Sequence, residues 1–271
     1  EFARQVEKLY VIEELEPFIE NYCLKMGIKV TGKELLPVIG EYSANLIREK
    51  VLGIKEEKLN DINENVPLRP PVLCPGCPHR GTYYVLKKLK LTVTGDIGCY
   101  TLGAIAPLNS VDTTVCMGAS IGMSHGMEKA RGKDVARNTV AVIGDSTFIH
   151  SGITGLINTV YNKGTSTVII LDNSITGMTG HQDNPTTGFT IKGEPTKQVD
   201  LEKLCYAIGI ERVRICDPFD LKEFEKVVKE EVASDEPSVI IAQRPCALLK
   251  SVKHSAPLCI DMDKCIMCRM C

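Results

Sequence analysis

The sequence predicts an α/β protein built on a mostly parallel sheet with helices on both faces. From residue 72 onward, apolar and β-branched runs recur: "LTVTGDIG", "TTVCMG", "TVAVIG", "STVIILDN", "ERVRIC" and "SVIIAQRP". Runs of five to eight such residues without polar alternation suit strands covered on both faces. Helical patterns separate them at 79–90, 119–131, 148–162, 200–208 and 220–234. Strands joined through helices run parallel, with right-handed crossovers. The 271 residues, 44% hydrophobic and 24% charged, have an ordinary globular composition.

Residues 1–53 read as a strand ("KLYVIEEL"), a helix ("EPFIENYCLKMG") and a second helical run ("KELLPVIGEYSANLIREKVLG"). They resemble the tail of a preceding α/β domain. Residues 54–71, "IKEEKLNDINENVPLRPP", are charged, poor in apolar residues and end in Pro70-Pro71, so they read as a linker. The regular alternation then fills 72–250. A cysteine-rich segment, 258–271, closes the chain on the third step of "CIMCRMC". With no initiator methionine either, the sequence reads as part of a longer polypeptide.

A net charge of −2 with no long basic run argues against a nucleic-acid partner. No apolar run approaches the roughly 20 residues of a membrane-spanning helix. The opening "EFARQVEKLYVIEELEPF" is too charged for a signal peptide, so a cytoplasmic location is expected. Twelve cysteines in such a chain point to metal rather than disulfides. Others, such as Cys205 in "LEKLCYAIG", sit on apolar helical stripes and read as core.

Ligands of open parallel sheets bind at the carboxyl ends of the strands. After "TVAVI" comes Gly144-Asp145-Ser146 and a helix; after "STVIIL" comes Asp172-Asn173-Ser174-Ile175-Thr176-Gly177. One helix and one strand separate Asp145 from Asn173, which puts them on neighbouring strand tips. A carboxylate and an amide oxygen there suit Mg²⁺, which binds through few protein ligands plus phosphate oxygens. The glycine turn before a helix N-terminus offers N–H groups to a phosphate. A competing reading makes Ser146 a hydrolase nucleophile, or sets Ser120 on a G-x-S-x-G elbow in "GASIG" (118–122), with His150 or His181 as partner.

The cysteines fall into two groups. Cys265, Cys268 and Cys271 have the C-x-x-C-x-x-C spacing of three ligands to one 4Fe–4S cluster. Cys74 and Cys77 in "CPGCPHRG" precede a helix, Cys99 follows a strand in "GDIGCY", and Cys246 follows the last strand in "QRPC". These four share the sheet edge of the expected diphosphate, and four thiolates suffice for a 4Fe–4S cluster. Zinc is the alternative for the first group, and zinc or free thiols for the second.

The Gly-Asp-Ser turn and the Asn at the next strand end resemble the metal motif of thiamine-diphosphate enzymes. That resemblance implies Mg²⁺ held by Asp145, Asn173 and the carbonyl of Ile175. It makes "CMGASIGMSHG", with Gly118 and Ser120, a small-residue turn against which the cofactor packs. "TGMTGHQDNPTTG", with Gly177 and Thr179, looks like the diphosphate-covering loop of the 2-oxoacid:ferredoxin oxidoreductases. Together with "CPGCPHRG" and "GDIGCYTLG", it resembles the large (α) subunits of indolepyruvate:ferredoxin oxidoreductases. The implied activity is oxidative decarboxylation of aryl-2-oxoacids to acyl-CoA, with coenzyme A as co-substrate and 4Fe–4S clusters passing electrons to ferredoxin. A pyruvate or 2-oxoglutarate enzyme, or a non-redox thiamine-diphosphate decarboxylase, is the alternative. The family implies a smaller β subunit as partner. It also implies that the rest of the large subunit supplies the glutamate that activates the cofactor, and that 258–271 begins a ferredoxin-like module. His79 and His181 either line the active site or serve structural hydrogen bonds.

Overall fold

The computed structural model describes residues 1–55, 67–253, 256 and 259–268. They form two compact units, Glu1–Leu68 and Arg69–Cys271. The first holds two helices, α1 (Phe18–Lys25) and α2 (Ala44–Leu52). The expected strand "KLYVIEEL" is instead extended chain with a single bridge, Tyr10 to Thr31. Its acidic end is occupied otherwise: Glu13 accepts from the N–H groups of Ile19 and Glu20 at 2.8 and 2.9 Å and so caps α1. The second helical run is helical only from Ala44, because Pro37 and Gly40 interrupt it. Ser43 caps α2 by accepting from Leu46 N–H at 3.1 Å. Residues 56–66, in the expected linker, lie outside the described residues.

The second unit is a five-stranded sheet of β1 (Thr92–Thr94), β2 (Thr139–Gly144), β3 (Thr167–Asp172), β4 (Arg212–Cys216) and β5 (Ser238–Gln243). The spatial order is β1-β2-β3-β5-β4, and every pairing is parallel. β2 and β3 are buried at every position, as their unbroken apolar runs require. Successive side chains point to opposite faces. Val140, Val142, Ile169, Leu171 and Ile240 pack with Tyr83 and Leu86 of α3 (His79–Leu89) and Phe224 of α9 (Leu221–Val232). Ala141, Ile143, Val168, Ile170 and Ile241 face the other way. They pack with Ile121 of α4 (Ala119–Arg131), Leu156 of α7 (Ile153–Tyr161) and Cys205 of α8 (Leu201–Ile208). Cys205 is therefore core, as its helical stripe indicates.

Two departures bear on the site. "TTVCMG" is not a strand: it touches β1 through one bridge, Thr94 to Thr113, then turns away. At its end the Gly118 N–H donates to the Asp96 carboxylate at 2.8 Å instead of to a strand neighbour. The helix expected at 148–162 is composite. A helical turn, α6 (Asp145–Thr147), leads through a π-turn at Phe148–Gly152 into α7, a wider turn of the kind often found at functional sites. A short α5 (Lys133–Ala136) completes the crossover into β2. Described residues 259–268 contain no helix or strand, and Cys271 lies outside the described residues. No helix among the described residues is long and apolar enough to cross a membrane.

Candidate active site

β2 and β3 are neighbours with Gly144 opposite Leu171, so the residues that follow them emerge side by side at the carboxyl edge. Asp145 opens α6 and Asn173 leaves β3; both are buried. They line a cleft of about 140 Å³ together with Ser146, Ile175, Gly177 and Thr179. Gly144 lies in the same wall, where an added Cβ would stand 2.6 Å from the ring of Tyr100. Seven of the nine expected cofactor residues thus meet in one place. Gly118 and Ser120 do not line this cleft; Met117 does. The N–H groups of both donate to Asp96, and Ser120 is fully buried.

Asp145 Oδ1 accepts from the Ser146 N–H at 2.7 Å, and Oδ2 faces the Thr186 hydroxyl at 3.4 Å. Burial pushes the carboxyl up to about 7, against the pull of the Ser146 N–H; the nearby Asp172 charge adds to the rise. Asn173 is oriented at both ends. Its Oδ1 accepts from the Ile175 N–H at 3.3 Å, while its Nδ2 lies 3.5 Å from His79 Nε2. His79 is buried, which drives its imidazole down to about 4 and keeps it neutral. Its ring meets Tyr100 edge-on at 5.8 Å. The Tyr100 hydroxyl donates to the Ile97 carbonyl at 2.8 Å, tying this cluster to the loop that carries Cys99.

A second cavity, about 70 Å³, is lined by Cys74, Cys77, Cys99 and Cys246. Four residues, His79, Cys99, Asn173 and Gly177, line both spaces. The four thiols arrive from distant points of the chain. The Cys77 N–H donates to the Cys74 carbonyl at 3.1 Å, which closes the C-P-G-C turn ahead of α3. The Arg80 guanidinium donates to the carbonyls of Leu73 and, at 2.9 Å, Cys74. The Cys246 N–H donates to the Asn173 carbonyl at 2.9 Å, so the end of β5 is pinned beside the cleft. Burial pushes the Cys77 thiol up to about 11, and the neighbouring cysteines add to it; Cys99 shifts the same way for the same reasons. Among the described residues, no three His, Cys, Asp or Glu side chains converge on a single-ion position.

His181 lines the cysteine cavity, not the first cleft. Cys265 is partly buried and Cys268 exposed in the terminal segment. The serine-nucleophile reading fails at the elbow, where Ser120 Oγ is buried without a partner. His150 is exposed on the π-turn. Thr186, Asn184 and Tyr100 were missed because their roles come from contacts with chain far away. The only local signal is the "DNPTTG" turn, where the Thr186 hydroxyl donates to Asn184 Oδ1 at 2.7 Å.

Residues 96–242 match the family model described as "Thiamine pyrophosphate enzyme, C-terminal TPP binding domain". The chain is 40% identical to the indolepyruvate oxidoreductase subunit IorA of Archaeoglobus fulgidus, over 92% of this chain and 42% of that protein. It is 38% identical to the subunit of the same name from Pyrococcus abyssi, over 100% of this chain and 47% of that protein. The chain therefore spans about half the length of the curated relatives it matches. The 2-oxoglutarate:ferredoxin oxidoreductase of Magnetococcus marinus superposes with a TM-score of 0.56 at 19% identity, covering 68% of this chain and 66% of that one, which shows a shared fold. With a parallel sheet whose β2 and β3 tips present Asp145 and Asn173, the chain belongs to the thiamine pyrophosphate enzymes through their C-terminal TPP-binding domain.

Proposed function

We propose that the chain is the cofactor-binding part of a 2-oxoacid:ferredoxin oxidoreductase large subunit. In this reading it binds thiamine diphosphate through Mg²⁺ and carries a 4Fe–4S cluster beside it. Residues 72–250 form the binding domain and 258–271 begin a ferredoxin-like module. The single observation that carries the reading is the common wall of the two spaces, built by His79, Cys99, Asn173 and Gly177.

The residues fit both groups. Asp145 is a buried carboxylate with no cationic side chain hydrogen-bonded to it, and its raised protonation equilibrium is relieved when a cation arrives. With Asn173 Oδ1 and the Ile175 carbonyl it makes an all-oxygen set suited to Mg²⁺. The four thiols surround one cavity without three converging on a point. Four thiolates around one cavity suffice for a 4Fe–4S cluster.

Bound there, thiamine diphosphate supplies an electron sink for decarboxylation, and an iron–sulfur cluster takes electrons singly. Asp145 and Asn173 hold the diphosphate end through the metal. Ser146 and the loop through Gly177 and Thr179 enclose it. Neutral His79 fixes the Asn173 amide so that Oδ1 is the oxygen presented to the cation. Aryl-2-oxoacids of the indolepyruvate type are the proposed substrates, with coenzyme A as acyl acceptor and ferredoxin as electron acceptor; the naming of the 33–40% identical relatives as indolepyruvate oxidoreductase subunits supports the substrate class. The remainder of the large subunit and a smaller β subunit complete the enzyme.

Metal analysis of an anaerobic preparation tests the reading. About four irons and four sulfides per chain are expected at the Cys74, Cys77, Cys99 and Cys246 site when Cys265 and Cys268 are replaced by serine. Mn²⁺ binding in the presence of thiamine diphosphate should weaken at least tenfold in Asp145→Asn and Asn173→Leu, on the scale metal-site substitutions produce. One zinc without sulfide would make this a non-redox decarboxylase instead.

A further inference from the structure

Asp96 is fully buried at the start of the loop that carries Cys99, and its carboxylate serves two separate elements. Oδ1 accepts from the Ile97 N–H and the Gly118 N–H, both at 2.8 Å, and Oδ2 accepts from the Ser120 N–H at 3.1 Å. The first bond lies within the cysteine loop; the other two lie at the N-terminus of α4, and Met117, just ahead of Gly118, lines the cofactor cleft. Gly118 sits at φ +85°, where an added Cβ would strike Ser151 Oγ at 2.4 Å, so the α4 turn has little room to take another shape.

The cysteine loop is closed just as tightly. The Thr101 hydroxyl donates to the Asp96 carbonyl at 2.7 Å and accepts from the Gly98 N–H at 3.0 Å. The Thr101 N–H donates to the Gly98 carbonyl at 2.9 Å. Cys99 is held inside this ring of bonds, and Gly177 approaches it from the cleft side: a Cβ there would lie 3.5 Å from Cys99 Sγ.

We infer that Asp96 is a positioning residue that holds the Cys99 loop against the α4 turn, setting the separation between the thiamine-diphosphate cleft and the cysteine site. The inference rests on the function proposed above. The helix N-terminus, a ready anion site in principle, is occupied by the protein's own carboxylate rather than by the diphosphate. Its N–H groups anchor the wall between the two spaces. A displacement of about 1 Å at a reacting centre costs on the order of a hundredfold in rate, and electron transfer from the cofactor to the cysteine site depends on the same spacing. Asparagine at 96 keeps the volume but places an NH₂ either against the Ser120 N–H or against those of Ile97 and Gly118, which weakens the tie between the two elements.

The test uses the complete anaerobic enzyme, full large subunit with its small subunit, mixed with indolepyruvate and coenzyme A without ferredoxin. Two rates are read in one turnover: CO₂ release, and reduction of the iron–sulfur cluster by rapid-freeze EPR. In Asp96→Asn, the ratio of cluster reduction to CO₂ release should fall at least tenfold, and the EPR signal should shift. Loss of both rates in equal proportion would show a general loosening and overturn the inference. If Asp96→Asn does not fold, Thr101→Val, which opens the same loop without touching a charge, must lower the ratio in the same direction; an unchanged ratio overturns it. An unsubstituted enzyme without iron and sulfide would remove the underlying reading and this inference with it. Iron and sulfide present with an unaltered ratio in the variant would remove the inference alone.

Discussion

Glu128 shows how far a single buried carboxylate can organise the end of a strand. It lies on α4 and accepts from the Thr165 N–H at 2.9 Å, the Thr165 hydroxyl at 3.0 Å and the Ser166 hydroxyl at 2.8 Å, fixing the entry into β3. Burial alone would raise its carboxyl, but the Ser166 and Thr165 donors outweigh it, and the net shift is downward from 4.5. A carboxyl that is more acidic folded than unfolded contributes stability above its unfolded value, and loses it as pH falls through the folded one. Glu128→Gln should therefore cost about 1–3 kcal/mol at pH 7. The gap to the parent should narrow below pH 4.5, read by urea denaturation across pH. No sequence signal marks Glu128, because its partners are 37 and 38 residues away. Asp145 and Asn173 were legible for the opposite reason: each directly follows a fully buried strand, and strand ends in a parallel sheet converge.

At the scale of elements, periodicity located α3, α4, α8 and α9 to within a residue or two, since each buries one face. It failed where polar capping competes with pairing. "TTVCMG" reads as a strand by composition, yet β1 has only three residues to pair with, and the Asp96 carboxylate takes the N–H groups at its end. The same competition turned "KLYVIEEL" into a helix cap. Close approach of backbones is equally hidden. Gly81 in α3 lies so near the β4–α9 connection that an added Cβ would stand 2.1 Å from the Pro218 carbonyl oxygen. The neighbour is backbone and has no rotamer to yield, so Gly81→Ala should destabilise by about 1–3 kcal/mol. Because α3 begins with His79, two residues after Cys77, iron incorporation should fall in parallel. A variant that matches the parent in both melting temperature and iron content would show that α3 is not held at this contact.

At the scale of the whole molecule, the site is a junction of separate chain segments. Cys74 and Cys77 come from the approach to α3, Cys99 from the loop after β1, Asn173 from β3 and Cys246 from β5. Sequence reading grouped these cysteines by their common sheet edge, but the wall they share with the cleft emerged only from the fold. Each of those segments lies in the second unit, Arg69–Cys271, so the residues proposed for both groups are all contained in it. Turnover is a different matter. The relatives that match this chain are more than twice as long, since it covers 42% and 47% of them. The proposed reaction also draws its activating glutamate from outside this sequence. The two properties should separate. The chain expressed alone under anaerobic conditions is expected to take up iron and sulfide and to bind Mn²⁺ with thiamine diphosphate, yet to reduce no ferredoxin with indolepyruvate and coenzyme A. Co-expression with the remainder of a homologous large subunit and its small subunit should restore ferredoxin reduction. That restoration should be lost again with Asn173→Leu, while the iron content is kept. Turnover by the isolated chain would show that the activating group lies among these 271 residues and would displace the proposed division of labour.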